Sequence, residues 1–462
     1  MKAFESDGRF WLPEAPDNDL FGRLVWEKAG GTELTTNGSL QDERGDLGDK
    51  FPVIHGVVEN TPHSLGRDIT LWNSWLVGRT TSATGLIRDR YHIQVALLGR
   101  HLGDEKTVAF KSAELRFSSL GAWTEGFTGL VPLDRIKDRK FTFGSKYETP
   151  DPLVIPCSGA TLKIHTTATS KQRRRRYAIE ESVVMEVVPD HLMRLSELNG
   201  AFVYPLQNFF TFAMNCPASV ERWVNHLPDE DDEEGNSQVD VSYPRYFSGP
   251  ENRDEEPHYQ PLFYLKHVKE RLPFIFGAWL AAADRLSDTF NLYFGVQYSN
   301  RMFLDWRFQT ILHALTLYGR VDGVPAINDN RLRGILDKVG PDDAEYLTKL
   351  LDTSLLLNDE TVLLQLLEEH GSEIEWLFGR SSRAFVDRVL NTFQYLLRRK
   401  VHDKFAASQG TDLYYLTETL GWLMKLCLLK EIGFPKDERR MLLERNQEAQ
   451  HISVNAKKAV PE

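Results

Sequence analysis

The sequence predicts an α+β chain, a β-rich N-terminal region followed by an all-α helical bundle. Two textures carry that reading. Up to about Pro257, short alternating apolar and polar segments are broken by Gly, Pro, Asn and Asp, the punctuation of sheet structure. Beyond it, apolar residues recur at spacings of three and four over long stretches, as on helices with one buried stripe. At 462 residues the chain also exceeds what one core ordinarily organises, so more than one unit is expected.

Taken in order, residues 90–97 (RYHIQVAL), 161–166 (TLKIHT) and 177–188 (YAIEESVVMEVV) alternate with period two, and Pro189 closes the last of them. Two acidic stretches follow, Asp229 to Gly235 and Glu251 to Glu256; with little apolar periodicity between them, they read as a solvated linker. The helical pattern opens at 272–286 and continues through 301–320. Pro341, Asp342 and Asp343 look like a helix start, with proline in the first turn and acids at the positive end of the dipole. Ser381 or Ser382 can cap the next helix, whose stripe is Phe385, Val389, Phe393, Leu396 and Leu397. A last helix carries Leu413, Leu416, Leu420, Leu423 and Cys427 and stops at Gly433. The expected division is a β-rich region at 1–257, a helical connector at 258–300, a helical domain at 301–435 and a charged, disordered tail at 436–462.

Composition narrows the function. A 41% hydrophobic and 26% charged share is that of a globular protein, and no apolar run reaches the length needed to span a bilayer. The first residues lack the basic start and apolar stretch of a secretory signal, so a cytoplasmic location without membrane attachment is expected. The three cysteines, Cys157, Cys216 and Cys427, are far apart, and the thirteen histidines form no His-Glu-x-x-His pair, so no metal site and no cofactor is expected. A net charge of -11 disfavours tight constitutive binding of a polyanion unless positive charge is gathered locally. It is gathered most densely at Lys171, Gln172, Arg173, Arg174, Arg175 and Arg176. Those arginines could grip phosphate with their planar forks, or form a solvated turn between two strands. No phosphate-cradling glycine loop and no Gly-x-Ser-x-Gly elbow occurs. The aromatic residues Phe209, Phe210, Phe212, Phe263, Tyr264, Phe274, Phe276 and Trp279 lie among aliphatic neighbours, which favours core packing over a platform for stacked bases.

Several separated segments carry a resemblance: residues 8–13 (GRFWLP), 51–57 (FPVIHGV), 69–72 (ITLW), 91–99, 108–110 (VAF) and 115–123 (LRFSSLGAW). In order and spacing they resemble the ApeA N-terminal domain over most of residues 8–250. The second half resembles the ApeA-type HEPN domain, with Arg307, Phe308, Ala314 and Leu315 in its opening helix, Phe385, Val386 and Asp387 leading its active-site helix, and residues 412–433 as its last helix. The resemblance implies a β-rich sensor joined to a HEPN-type bundle in bacterial anti-phage defence by abortive infection. RNA, with tRNA among the candidates, would be the target, an unknown phage component the trigger, and a homodimer through the HEPN domain the assembly.

The same resemblance sets an expectation for chemistry. HEPN ribonucleases of this type need no metal: a histidine moves the proton of the ribose 2'-hydroxyl, and an arginine with a polar partner holds the scissile phosphate. The family places Arg, four to six residues, then His. If Asn391 and Thr392 match its lead-in, Phe393 stands at the arginine position, Gln394 at its polar neighbour and Arg398 at the histidine position, so the motif is degenerate. A shifted reading makes Arg398 or Arg399 act with His402, with three or two residues between them. The bland alternative is a basic helix end that offsets the dipole. Arg307 and His313 have an allowed spacing but sit on the opening helix, where Thr316 and Gly319 replace an acid and a histidine usual in the family. Two functions stay open at this point, an RNA-cleaving HEPN protein that uses Arg398, Arg399 and His402, and a catalytically silent HEPN module that binds RNA or a partner and signals infection.

Overall fold

A computed structural model describes residues 4–27, 31–41, 46–61, 66–137, 140–173, 176–228, 238–242, 260–299, 301–321, 334, 337–341, 343, 356–379, 381–398 and 407–459. They fall into two compact units. The first comprises Met1–Thr211, Pro217–Asp254 and Tyr264–Pro273, the second Phe212–Cys216, Glu255–Phe263 and Phe274–Glu462.

The first unit is built on antiparallel sheet. Strands β1 (Phe4–Trp11), β2 (Leu20–Glu27), β3 (Gly31–Asn37), β4 (Lys50–Val58), β5 (Asp68–Thr81) and β6 (Ile87–Leu98) pair in the order β6-β3-β2-β1-β4-β5. β5 also pairs with β6, which closes the ring into a barrel without free edges. Alternation along each strand sends Phe10, Leu24, Leu34, Ile54, Leu71 and Ile93 inward, where they form one buried cluster. The three segments with period-two alternation lie within β6, β11 (Ala160–Arg173) and β12 (Arg176–Pro189).

β6 outruns β3. Its last residues, Ala96, Leu97 and Leu98, pair with β14 (Gln238–Ser242), and from there a second run of strands continues. It passes through β13 (Val220–His226), β7 (Ser112–Phe117), β12 and β11 to β10 (Leu153–Cys157). β8 (Leu130–Lys137) and β9 (Lys140–Tyr147) form a separate hairpin. Over the second run sit the short helix α1 (Leu120–Trp123) and a longer one in which α2 (Leu195–Leu198) continues through a π-turn at Asn199–Val203 into α3 (Tyr204–Met214). Phe117, Trp123, Phe209 and Phe210 meet there at centroid distances of 4.9–5.7 Å, so these aromatics are core.

One close approach in the barrel makes a prediction. The Phe10 ring lies against two glycines of neighbouring strands: a Cβ added at Gly56 would stand 2.4 Å from Phe10 Cδ1, and one added at Gly22 would stand 3.1 Å from Cδ2. Gly56→Ala therefore displaces a ring that is wholly buried. The expected cost is about 1–3 kcal/mol, read as a lower melting temperature of the full chain; an unchanged melt contradicts the packing described.

The second unit is helical. α5 (Leu272–Arg285) enters it at Phe274, and α6 (Ser287–Tyr298), α7 (Leu304–Val321), α8 (Leu356–Phe378), α9 (Ser382–Arg398), α10 (Thr411–Glu431), α11 (Lys436–Arg445) and α12 (Gln447–Ala459) follow. α4 (Leu265–Val268) is a single turn that belongs to the first unit. α10 is the centre of the bundle. Every residue from Leu416 to Leu429 is buried, and α7, α8 and α12 pack around it. Gly433, at φ +77°, supplies its stop in a conformation that costs glycine little. Phe212, Trp279, Phe290 and Phe294 form an aromatic core, whereas Phe274, expected in the core, is 60% exposed.

Two further expectations change here. The charged segment after Pro435, expected to be disordered, forms α11 and α12, because Leu443, Ala449, Ile452 and Ala456 bury a stripe at helical spacing beneath the charges. Leu397, placed on the apolar stripe of α9, is 54% exposed, and the buried face is Phe385, Val386, Val389, Thr392 and Leu396. The acidic stretches at 229–235 and 251–256 and nearly all of 341–351 lie outside the described residues. No helix among the described residues is long and apolar enough to cross a membrane.

Candidate functional site

The residues singled out for RNA chemistry meet the fold at the end of α9. Ser381 caps that helix, accepting the Ala384 N–H at 3.3 Å, and Phe385 stacks on Phe378 of α8 at 4.5 Å, so its start is fixed. Its middle is tied to the chain that follows. The Arg388 Nε donates to Ser408 Oγ at 2.8 Å, and the Ser408 N–H donates to Thr392 Oγ1 at 2.9 Å, which in turn donates to the Arg388 carbonyl at 2.7 Å. Thr392 and Ser408 are both fully buried. Burial also lowers the pKa of Arg388 from its ordinary value, while Asp412 attracts its charge. The chain therefore leaves α9 at Arg398 and is tied back, ten residues later, against the middle of the same helix.

Arg398 is exposed on the last turn of α9. Arg399 and His402 lie outside the described residues, between that turn and the Ser408 clamp. Phe393 is half-buried and Gln394 exposed, one residue on from the buried Thr392. In the first unit, Arg173 and Arg176 are paired at the tip of the β11–β12 ladder. Arg174 and Arg175 lie outside the described residues.

Arg307 and His313 do not act together. Arg307 Nη2 is 2.9 Å from Glu418 Oε1, whereas His313 is exposed and its charge acts on Asp359. Asp359 in turn holds Arg320 at 2.6 Å, and burial raises its pKa.

Sequence reasoning missed two buried ionic clusters in this unit. In one, Glu418 and Lys425, two turns apart on α10, face Arg307 of α7 and Glu448 of α12. Lys425 Nζ is 3.9 Å from Glu448 Oε2 and 3.8 Å from the Trp422 ring centroid, and Asn215 Nδ2 donates to that same Glu448 oxygen at 2.9 Å. Burial raises the pKa of Glu418 and lowers that of Lys425. In the other, Glu373 on α8 accepts from Arg439 Nε at 2.7 Å and lies 3.0 Å from His370 Nδ1. Burial pushes the Glu373 carboxyl up, but the bonds from His370 and Arg439 outweigh it and hold the group below its ordinary value. Arg439 Nη1 also donates to the Phe434 carbonyl at 2.8 Å, which locks the turn between α10 and α11. The available signal was a charged residue inside an otherwise apolar helix, which must find a partner when buried. The Glu373 cluster is closed from solvent, whereas Arg307 and Glu448 leave the other partly open; both join helices, so their work is structural.

A β-rich first unit followed by a helical bundle makes this a two-part protein. Comparison with known families agrees: the ApeA N-terminal domain 1 family matches residues 5–279, more than half of the chain, and the Apea-like HEPN family matches residues 316–438. The chain belongs to the ApeA family, as an ApeA-like defence protein with a HEPN module. No curated protein matches it, and neither does any solved structure.

Proposed function

We propose that the HEPN module cuts RNA without a metal when infection is sensed, with Arg398, Arg399 and His402 as the reacting set and a homodimer as the active assembly. The β-rich unit receives an unidentified phage component, and the protein acts in the cytoplasm as an abortive-infection device. One observation supports the site assignment: the Arg388–Ser408–Thr392 clamp ties the chain back to α9 at Ser408, a few residues beyond the segment that starts at Arg398 and contains His402. Arginine holds phosphate through its planar fork, histidine transfers protons near neutral pH, and a fixed frame limits the entropy lost in bringing them together. The arginine tip of the β11–β12 hairpin would add phosphate contacts in the first unit.

The silent-module reading rests on Phe393. At the place where the family resemblance puts an arginine, a half-buried aromatic ring can neither hold phosphate nor move a proton.

Full-length chain incubated with total bacterial RNA in excess chelator, with and without phage lysate, separates the two. The RNA-cutting reading expects degradation at substoichiometric protein, lost in Arg398→Ala, Arg399→Ala and His402→Ala. Degradation that survives all three removes the site assignment, and RNA binding without cutting establishes the silent module.

A further inference from the structure

Two hairpins of the first unit gather positive charge. One is the outer part of the β11–β12 ladder. β10 pairs with β11 only as far as Ile164, and β7 pairs with β12 only from Met185 onward. Nine further rungs, from His165 opposite Val184 to Arg173 opposite Arg176, have no third strand among the described residues. They make a two-stranded arm about 27 Å long, and Thr167, Thr169, Lys171, Ala178 and Glu180 along it are exposed. The other hairpin is β8–β9, rooted on this arm: Tyr147 Oη lies 2.7 Å from Thr166 Oγ1, and Glu181 accepts the Gly129 N–H at 2.8 Å.

Register sorts the charges by face, because residues opposed across an antiparallel pair share a face and successive residues alternate. On β8–β9, Lys146 opposite Val131, Arg135 opposite Thr142 and Lys137 opposite Lys140 lie on one face, which holds four cations and no acid. Pro132, Asp134, Phe141 and Phe143 belong to the other, together with Tyr147, through which the hairpin meets the arm. On the arm, Arg173 opposite Arg176 shares a face with Lys171. The acid of that face, Glu180, is paired with Lys171, and both are more than half exposed, so water keeps the pair weak and easily opened. Each hairpin thus ends on a rung of two opposed cations. Like charges directly opposite destabilise a ladder, and an anion laid between them relieves the repulsion.

We infer that these hairpins bind duplex DNA, the arm entering the major groove and β8–β9 holding the phosphate backbone. That groove is roughly 12 Å wide and 8.5 Å deep and admits a two-stranded ribbon. The arm is such a ribbon, and its free length exceeds the depth. The major groove of an RNA duplex is too narrow and deep for that entry. Arg173 and Arg176 take the phosphates that wall the groove, and Arg135, Lys137, Lys140 and Lys146 take those outside it. In a chain of net charge -11 the rest of the surface repels DNA, so contact is confined to these two faces. The inference does not depend on RNA cutting; it gives the first unit a partner of its own.

Fluorescence anisotropy of the full chain, without phage lysate, tests this with a DNA duplex of about two helical turns, an RNA duplex of the same sequence and the single RNA strand. The DNA duplex is expected to bind at least about tenfold more tightly than either RNA. Arg173→Gln with Arg176→Gln, and Lys137→Gln with Lys140→Gln, should each weaken DNA binding at least about tenfold and lower the slope of log affinity against log salt by about 2. Both pairs occupy end rungs of like charge, so the melting temperature of either variant stays at or above the wild-type value. The inference is overturned if the DNA duplex does not bind at about 100 μM and low salt, if either RNA binds as tightly, or if either double variant binds DNA as the wild type does.

Discussion

Glu373→Gln is expected to loosen α8 and α11 by about 3–5 kcal/mol. Glutamine keeps the shape but removes the charge, so Arg439 remains buried, 8% exposed, with no carboxylate to answer it. One of the two oxygens that face Arg439 and the wholly buried His370 becomes an amide nitrogen at the same time. The comparison that isolates the mechanism is Glu373→Gln with Arg439→Met: with both charges removed, most of the loss returns, because the cost lies in an orphaned charge and not in a missing attraction. Hydrogen exchange of peptides from α8 and α11 in the full chain reads the opening free energy directly. Protection in Glu373→Gln equal to that of the wild type contradicts the closed, charged core described for this unit.

His402→Ala is expected to slow RNA cleavage by about 10²–10⁴-fold, the range general acid–base catalysis supplies. Stability is expected to stay at the wild-type value, since the clamp is made by Arg388, Thr392 and Ser408. Arg388→Ala should do the reverse. It leaves the reacting groups in place but releases Ser408, so cleavage falls together with the protection of α9. A His402→Ala protein that cuts RNA at the wild-type rate would show that the proton is moved elsewhere.

The individual strands and helices were legible in the sequence wherever one face is buried. Residues 90–97, 161–166 and 177–188 alternate because each strand has an inner face, and 272–286 and 301–320 repeat at three and four for the corresponding reason. The closing of the barrel was not legible. It depends on β6 pairing with β5 along its whole length and with β3 and then β14 along successive parts of it, and periodicity says nothing about partners. The buried ionic clusters were hidden for a related reason: Glu373, Arg439, Glu418 and Lys425 have the residue types of a solvated surface, and only their neighbours reveal otherwise. In α12, the charges masked the stripe of Ala449, Ile452 and Ala456. The proposed site rests on the sequence alone, in Arg398, Arg399 and His402, of which only Arg398 lies among the described residues; the clamp beside it was not legible, because it joins residues sixteen positions apart.

The chemistry of the RNA ends reports how the phosphodiester is broken. Attack by the ribose 2'-hydroxyl, with its proton moved by His402 and the phosphate held by Arg398 or Arg399, leaves a 2',3'-cyclic phosphate on one fragment and a 5'-hydroxyl on the other. These ends are expected for the full chain in excess chelator and are expected to be absent from the Arg398→Ala, Arg399→Ala, His402→Ala triple variant. Fragments with 3'-hydroxyl and 5'-phosphate ends that appear only when a divalent metal is supplied would contradict this chemistry.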